Sequence, residues 1–570
     1  MNLFLIGHRG SGKTTVLCWL KQKFEGHFFD LDEEIEKRHG SIKKIFAEQG
    51  EDHFRKLEVQ VFDKLTSSSF QGPRVIALGA GFEGSFPKRS IKIWIRRESD
   101  LKGRIFLDRP DLEMGKTPLD QWKLRFSKRQ KHYEDIHTDV LTLPEGRGLS
   151  DLVLQRFFRR YFRGELSIEN WEGNFFSTLL PLDKQKFSKK ILYSESRFIE
   201  LRDDLFSHEE LGEIESAVTP ERLYFAYRKP MSNAESKGKI KDWDLALGPP
   251  QDKFWSISNH GQSEEVFKRF IGTSEILKWS PEVESFKDLL HGHLWWKEDP
   301  YQRSFLPRSK SGRWRWYRRL FGPQMPIHFV KDQSGSAPDQ PFWYETLLTP
   351  LSNNRFAAVL GENVDLSWTP AFHHDFFMKR NMPVVSINVS PAEWEEALPV
   401  LKFLGLRAAA VTSPLKKLAY TEVSHFLNED SKDLGSVNTL VFDSTKTFGV
   451  STDLDGLQYL SDHLKDPVCI WGGGGLLPVL KTVFPQAKSF QARKGGSISA
   501  PSTLLWASKR SNDVVFPQDF ENIKSIIDMN YFEDSMGKEL AKQLGCHYLS
   551  GEAFFVSQAE AQQRYWSQLL

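Results

Sequence analysis

LFLIGHRGSGKTT, Leu3 to Thr15, is a short apolar strand that runs into a glycine-rich loop and then into the start of a helical pattern. The loop satisfies GxxxxGK[ST] with Gly7, Gly12, Lys13 and Thr14. Small residues let backbone N–H groups wrap a phosphate at a helix start, a lysine neutralises it, and the following hydroxyl is placed for Mg²⁺. Gly7, Gly10, Gly12, Lys13, Thr14 and Thr15 are therefore expected to bind a nucleoside triphosphate, with Thr14 also on the metal. An ordinary glycine turn has no need of a strand before it and a helix after it. The chain thus opens with a P-loop α/β unit.

Beyond this loop, 570 residues are too many for one core, and at roughly 100 to 200 residues per domain they imply about three or four units. Hydrophobic residues make up 39% and aromatics 13%, enough for a core in each. The 77 basic and 75 acidic residues leave a formal net charge of +2, which argues against nucleic acid or any other general polyanion as partner and favours small molecules. Cys18, Cys469 and Cys546 lie far apart without metal spacing, as suits a reducing compartment. The start is too short for a signal peptide and no run is long and apolar enough for a bilayer, so a soluble cytoplasmic protein without a membrane partner is expected. Two joints divide the chain, the polar stretch RGELSIENWEGN and the segment LTPLSNN, giving expected units 1–163, 164–348, 349–465 and 466–570, the last two being halves of one enzyme.

Within the first unit, FFDLDEEIEKRHGSIKKIFAEQGEDHFRKLE carries Asp30 and Asp32 at i and i+2 on one face at a strand end, a spacing that suits metal and hydroxyl contacts but also a solvated acidic helix start. With VIALGAGF, DRP and RQKHY downstream, the unit resembles shikimate kinase throughout. The resemblance implies that Asp30 supports Mg²⁺, that Asp32 faces the acceptor hydroxyl as a catalytic group beside Lys13, and that Arg55 and Arg129 grip the acceptor carboxylate. It implies further that Gly79 and Gly81 line the acceptor site, with Ala80 where the family has a third glycine, and that Arg109 reaches ATP from a lid.

From Arg355 onward the chain resembles shikimate dehydrogenase. VLGENVDLSWTP matches that family's substrate loop, with Ser367 and Thr369 in the hydroxyl positions and Leu366 where His is usual. AVTSPLKK keeps Thr412, Pro414 and Lys416 but has Ala410 for Asn, GSVNTL supplies Asn438, and GVSTDLDG supplies Asp453 with Ser451 for Asn. The resemblance makes Lys416 and Asp453 the catalytic pair, suited to hydrogen-bond a carbonyl oxygen and supply its proton as hydride reaches carbon. Gln558 in VSQAEAQ joins the substrate site. In VCIWGGGGLLPVLK, Gly472, Gly473, Gly474 and Gly475 suit a pyrophosphate, and Arg493 and Lys494 after the next strand favour NADPH over the bare ribose of NAD.

The middle unit offers RFIELRDDLF with Glu200 and Arg202, LYFAYRKP with Arg228, WSISNHG with His260, EILKWSP with Lys278, SGRWRWYRRLFG with Arg315, and GSAPDQ with Ser336 and Gln340. These strand-end positions resemble type I 3-dehydroquinate dehydratase and imply a (β/α)₈-type barrel, abridged because the unit is compact for that fold. The resemblance makes Lys278 a Schiff-base lysine and His260 a proton shuttle, the remaining residues holding dehydroquinate. Ala246 in WDLAL stands where the family has Glu, which implies one polar group fewer in the site, and Asp339 replaces a loop glycine. Taken alone, a histidine after a strand is more often structural and a strand lysine is usually an edge device.

The whole then reads as an α/β multidomain chain: a P-loop kinase, an abridged barrel, and a two-part dehydrogenase with a Rossmann-like NADP half, ordered like the last three modules of the fungal arom multienzyme. Its expected substrates are 3-dehydroquinate, 3-dehydroshikimate and shikimate. Two alternatives stay open: a non-catalytic quinate- or shikimate-sensing regulator resembling the fungal quinate repressor, and a fusion whose middle module is degenerate.

Overall fold

The structure is a computed structural model that describes residues 1–97, 118–143, 151–162, 175–181, 194, 196–229, 236, 238–331, 335–348, 354–365, 367–461, 464, 467–498, 502–509, 511–519, 522–531 and 535–570. Arg109, Leu366 and the joints expected at 163–174, 349–353 and 465–466 lie outside the described residues.

The first sheet contains β1 (Asn2–Ile6), β2 (His27–Asp30), β3 (Arg74–Ala77), β4 (Ile91–Arg97) and β5 (Asp139–Leu143) in the order β2-β3-β1-β4-β5. All its pairings are parallel. Strands such as LFLI and RVIA are buried along their length because helices cover both faces, which is why they read as apolar runs rather than alternations. The P-loop leaves β1 between β3 and β4, where the strand order reverses and ligands of open α/β sheets bind.

An eight-stranded parallel sheet follows: β6 (Phe175–Thr178), β7 (Phe198–Arg202), β8 (Leu223–Tyr227), β9 (Ile240–Asp244), β10 (Ser256–Asn259), β11 (Ile276–Trp279), β12 (Arg303–Phe305) and β13 (His328–Phe329). The order β12-β11-β10-β9-β8-β7-β6-β13 curls it into a nearly closed barrel. Among the described residues no ladder joins β12 to β13; instead the Ile327 N–H donates to Ser304 Oγ across the seam at 3.0 Å. The helical layer is abridged. Full helices follow β7 (His208–Ala217) and β11 (Phe286–Glu298), each opened by a serine capping box, whereas β9 and β10 are followed only by 3₁₀ turns, Leu245–Leu247 and Glu264–Phe270.

The third sheet, β14 (Phe356–Gly361), β15 (Val384–Asn388), β16 (Leu406–Val411), β17 (His425–Phe426), β18 (Thr439–Phe442) and β19 (Thr447–Val450), has the order β15-β14-β16-β18-β19-β17, with β18 antiparallel to both neighbours. The fourth is parallel and Rossmann-like: β20 (Val468–Gly472), β21 (Lys488–Phe490), β22 (Thr503–Ala507), β23 (Ser525–Asp528) and β24 (His547–Leu549), ordered β21-β20-β22-β23-β24. The final helix, Glu552–Leu569, returns to the third sheet, where Trp566 packs with Ala357, Val359 and Phe377.

The units share cores. Phe175, Val330, Phe342 and Trp343 of the barrel sit in one apolar cluster with Val153, Leu154, Phe157 and Phe158 of the first unit. Phe286, Trp296 and Trp316 of the barrel share another with Phe356, Trp394 and Leu398 of the third sheet. Among the described residues no helix is long and apolar enough to cross a membrane.

Candidate active sites

In the first unit the loop geometry admits only glycine at its entry: Gly7 has φ +145°, and a Cβ there would lie 2.2 Å from the Ile95 carbonyl oxygen. Lys13 opens the first helix and donates to the Gly7 and His8 carbonyls, both at 2.8 Å. The Thr14 hydroxyl donates to Asp30 Oδ2 at 2.8 Å, so the two expected metal ligands already touch. Asp30 ends β2 and caps the next helix, accepting the Asp32 N–H at 3.1 Å.

The glycine triplet faces four charged groups. A Cβ on Gly79 would lie 2.3 Å from Glu58 Oε1 and 3.2 Å from Asp32 Oδ1; one on Gly81 would lie 2.3 Å from Arg55 Nη2 and 2.9 Å from Arg129 Nη2. Asp32, Arg55 and Arg129 are thereby gathered round one concavity. Glu58 is a member that sequence reasoning does not single out. It lies one helical turn after Arg55, is fully buried and pairs with it at 2.6 Å; burial raises its pKa while Arg55 opposes the rise.

The barrel centre is ionic. Lys278 on β11 is 3% exposed, and its Nζ lies 3.0 Å from Asp242 Oδ2 and 3.3 Å from the Tyr224 hydroxyl. Arg228 reaches the same Asp242 oxygen at 2.5 Å and lies 4.0 Å from Glu200 and 3.7 Å from Asp244. Ser256 and Ser258 also donate to Asp242. Burial lowers the Lys278 pKa and Arg228 lowers it further, with Asp242 opposing. For Asp242 burial works the other way, but Lys278 and Arg228 hold the carboxyl well below its usual range.

His260 stands one pleat beyond Ser258, which is in register with Lys278 on the adjacent strand, so His260 and Lys278 belong to the same face. Its side chain is partly exposed, but Nε2 is buried and lies 3.6 Å from Asp244 Oδ2. Loss of solvent, then Arg228, Lys278 and Arg308, hold the ring well below the usual histidine pKa. The Arg308 guanidinium grips the His260 carbonyl at 3.2 Å and the Ser280 carbonyl at 2.7 Å, tying the ends of β10 and β11 together.

Glu200, Ser336 and Gln340 meet through Thr178, which donates to Glu200 at 2.6 Å and lies 3.1 Å from Ser336 Oγ, which accepts from Gln340 at 2.9 Å. Arg202 pairs with Asp204 at 2.6 Å while acting electrostatically with Glu200 and Arg228, and Arg315 pairs with Glu345 at 2.9 Å. Ala246 does not deprive the barrel of a carboxylate, contrary to expectation. It lies beyond β9 in a 3₁₀ turn capped by Asp244, and the carboxylates that enter the barrel are Asp242 and Asp244, two apart on β9. Asp339, at the loop-glycine position, is buried and accepts from Ser309 N (2.5 Å), Ser309 Oγ (2.8 Å) and Trp314 N (2.7 Å).

In the dehydrogenase-like unit Lys416 Nζ meets both oxygens of the fully buried Asp453, at 2.9 and 2.8 Å. Asn438 donates to Asp453 Oδ1 at 2.9 Å, and Gln558 from the last helix donates to the same oxygen. Ser367 Oγ donates to Thr369 Oγ1 at 3.0 Å at a helix start, and Gly361 leaves room for Thr412, whose Cγ2 would lie 2.2 Å from an added Cβ. Ala410 packs into the apolar cluster of Val359 and Phe377, so the absence of an amide there falls on the core side. Ser451 takes its place by donating its N–H to Ser431 Oγ at 2.8 Å. Beyond β20, Gly472, Gly473 and Gly474 all have positive φ, and Gly475 follows in a short 3₁₀ turn. Arg493 and Lys494 are exposed beyond β21, Arg493 pairing with Asp513 at 2.7 Å.

Comparison with known proteins finds matches for the first unit and the dehydrogenase-like unit. The shikimate kinase family matches residues 9–147, and the shikimate dehydrogenase substrate binding domain matches residues 359–440. The shikimate kinase of Aquifex aeolicus is 35% identical over 151 residues, 25% of this chain and 86% of that protein. The shikimate dehydrogenase (NADP(+)) of Chlorobaculum tepidum is 32% identical over 131 residues, 22% of this chain and 44% of that protein, so the chain spans under half of that relative's length in this match. The crystal structure of Aquifex aeolicus shikimate dehydrogenase aligns with a TM-score of 0.32 at 19% identity, covering 38% of this chain and 92% of its own. Shikimate kinase and shikimate dehydrogenase domains are thus present in one chain.

Proposed function

Through its N-terminal unit the chain belongs to the shikimate kinase family, and from that premise we propose that it joins three catalysts: a dehydratase for 3-dehydroquinate, an NADPH-dependent reductase for 3-dehydroshikimate and an ATP-dependent kinase for shikimate. ATP with Mg²⁺ supplies the phosphoryl group and NADPH the hydride.

In the kinase the P-loop amides and Lys13 hold the phosphates, Thr14 and Asp30 the metal, and Arg55 and Arg129 the acceptor carboxylate, while Asp32 takes the proton of the attacking hydroxyl. In the reductase the Lys416 ammonium gives its proton to the carbonyl oxygen as carbon is reduced, with Asp453 orienting it. Ser367 and Thr369 hold the substrate carboxylate, Thr412, Asn438 and Gln558 complete that pocket, and Arg493 and Lys494 favour the 2′-phosphate.

In the barrel neutral Lys278 attacks the ketone carbon, and water leaves to form the imine. Neutral His260 removes a proton from the adjacent carbon, the electron pair flowing into the imine. The imidazolium returns that proton to the departing hydroxyl, and water releases product from Lys278. The observation that carries this reading is a buried lysine of lowered pKa on the same face as a histidine whose Nε2 is held neutral.

Borohydride added with 3-dehydroquinate should trap a reduced adduct on the Lys278 peptide, absent in Lys278→Met. A chain that forms no adduct yet phosphorylates shikimate and reduces 3-dehydroshikimate would have a degenerate barrel, the reading that the pairing of Arg315 with Glu345 favours.

A further inference from the structure

Tyr224 stands at the barrel centre, and the proposed dehydration leaves it without a role. It lies on β8, Asp242 on β9, Ser256 on β10 and Lys278 on β11, so four consecutive strands each send one polar side chain to the same point. The tyrosine is fully buried, its ring edge to face with Phe176 at 5.0 Å and 6.1 and 6.2 Å from the Trp255 and Phe329 rings between centroids. Packing fixes the ring, and its hydroxyl stands 3.3 Å from Lys278 Nζ and 3.0 Å from Ser256 Oγ.

These hydrogen bonds have one consistent direction. Ser256 has a single proton and gives it to Asp242 Oδ1 at 2.5 Å, because the ionised carboxylate can only accept. The contact between Ser256 Oγ and Tyr224 Oη is therefore donated by the phenol. Burial first, then Asp242 and Glu200, raise the phenol pKa well above its ordinary value, so that proton stays on its oxygen. What Tyr224 turns to Lys278 is a lone pair. A neutral amine has two N–H bonds and one lone pair of its own. Asp242 Oδ2 takes one N–H at 3.0 Å and Tyr224 Oη the other, which leaves the nitrogen lone pair as the valence free for a ligand. With Asp242 alone the amine would turn freely about its Cε–Nζ bond, and the second acceptor restricts that rotation.

We propose that Tyr224, its own proton committed to Ser256, is a positioning residue that aims the Lys278 lone pair at an incoming carbonyl carbon. The inference rests on the dehydratase reading for the identity of that carbonyl. Trace acetylation of the full chain with acetic anhydride tests it without 3-dehydroquinate, since the reagent is itself a carbonyl compound that only a neutral amine attacks. The Lys278 peptide is followed by mass spectrometry across pH, with the exposed Lys44 and Lys268 as internal standards. The midpoint of the rate profile reports the charge of the amine, and the plateau at high pH reports the reactivity of its neutral form. In wild type the Lys278 midpoint should lie below the ordinary 10.5. Tyr224→Phe, which keeps the ring, should lower the plateau roughly tenfold without raising the midpoint, whereas mere loosening of the barrel would speed the labelling of a buried lysine. Ser256→Ala, which frees the phenol proton to turn to the amine lone pair, should lower the plateau as well, and should add less than about twofold to the effect of Tyr224→Phe.

The inference is overturned by a wild-type Lys278 that stays unlabelled, by a Tyr224→Phe or Ser256→Ala plateau at the wild-type level, by a loss carried in the midpoint alone, or by a Ser256→Ala effect that persists in full beside Tyr224→Phe. If the plateaus fall as expected and borohydride with 3-dehydroquinate still traps nothing on Lys278, the positioning of the amine stands and the dehydratase reading falls.

Discussion

In the proposed dehydratase His260 is the group that accepts the substrate proton. Its neutral form is the base, and solvent loss with three nearby cations holds its pKa below the ordinary value of 6.5. The neutral base therefore survives to lower pH than a free histidine would allow. The His260 imidazole should titrate below pH 6.5, read on the full chain as the histidine proton NMR signal that is lost in His260→Gln; a midpoint at or above 6.5 would contradict these electrostatics. What the sequence shows at this scale is uneven. Lys278 and His260 are legible because each ends a strand beside glycine or proline punctuation. Asp242 and Asp244 are not, because KDWD reads as an exposed edge until seven neighbouring strands bury it. Glu58 is hidden for a similar reason: a glutamate three residues after an arginine looks like a surface helix pair.

At the scale of the element, two short segments decide whether groups converge. Gly81 is needed for the space it leaves rather than for its dihedral angle. Gly81→Ala would drive a methyl group into the Arg55 and Arg129 guanidinium groups. It should raise the KM for shikimate roughly tenfold, equivalent to about 1.4 kcal/mol, and leave the KM for ATP nearly unchanged. The SAPDQ loop depends on a charge. Asp339 gathers three hydrogen bonds from Ser309 and Trp314, just before the arginine turn. Asp339→Ala should cost about 2 to 3 kcal/mol of barrel stability, seen as an earlier urea midpoint by tryptophan fluorescence, because it leaves buried donors unpaired. A midpoint equal to wild type would mean that the latch contributes nothing to stability. In the sequence Asp339 is only a departure from a pattern; its hydrogen bonds need a loop 25 to 30 residues away in the chain, which no local periodicity encodes.

At the scale of the whole molecule the two ends are the most legible, since a P-loop and a lysine–aspartate pair sit in motifs that also fix strand and helix order. The barrel is legible as strands but not as a closure, for β13 has only two residues and offers no run to read. Nor does the sequence disclose that the units share cores. A joint of polar residues suggests separable beads, yet Trp316 and Phe356 lie 6.0 Å apart across one such joint, and Arg313 pairs with Glu393 at 2.5 Å. Residues 175–348 expressed alone should therefore expose the faces that cover Val153 and Trp394, and should bind a hydrophobic dye and aggregate at micromolar concentration. The full chain, which covers both faces, should stay in solution by light scattering. An isolated fragment that remains monodisperse would show these shared clusters to be dispensable.

The seam between β12 and β13 has a consequence of a different kind. Elsewhere the girth of the barrel is fixed by backbone ladders, whose register locks strand number to stagger. At this one joint, among the described residues, side-chain bonds stand in for the ladder: Ser304 Oγ accepts from Ile327, and Asp339 accepts from Ser309 and Trp314. The hoop is therefore buckled by side chains rather than woven shut, and a circularly permuted chain beginning in the segment before β13 would sever the covalent link at the place where the sheet itself is already open.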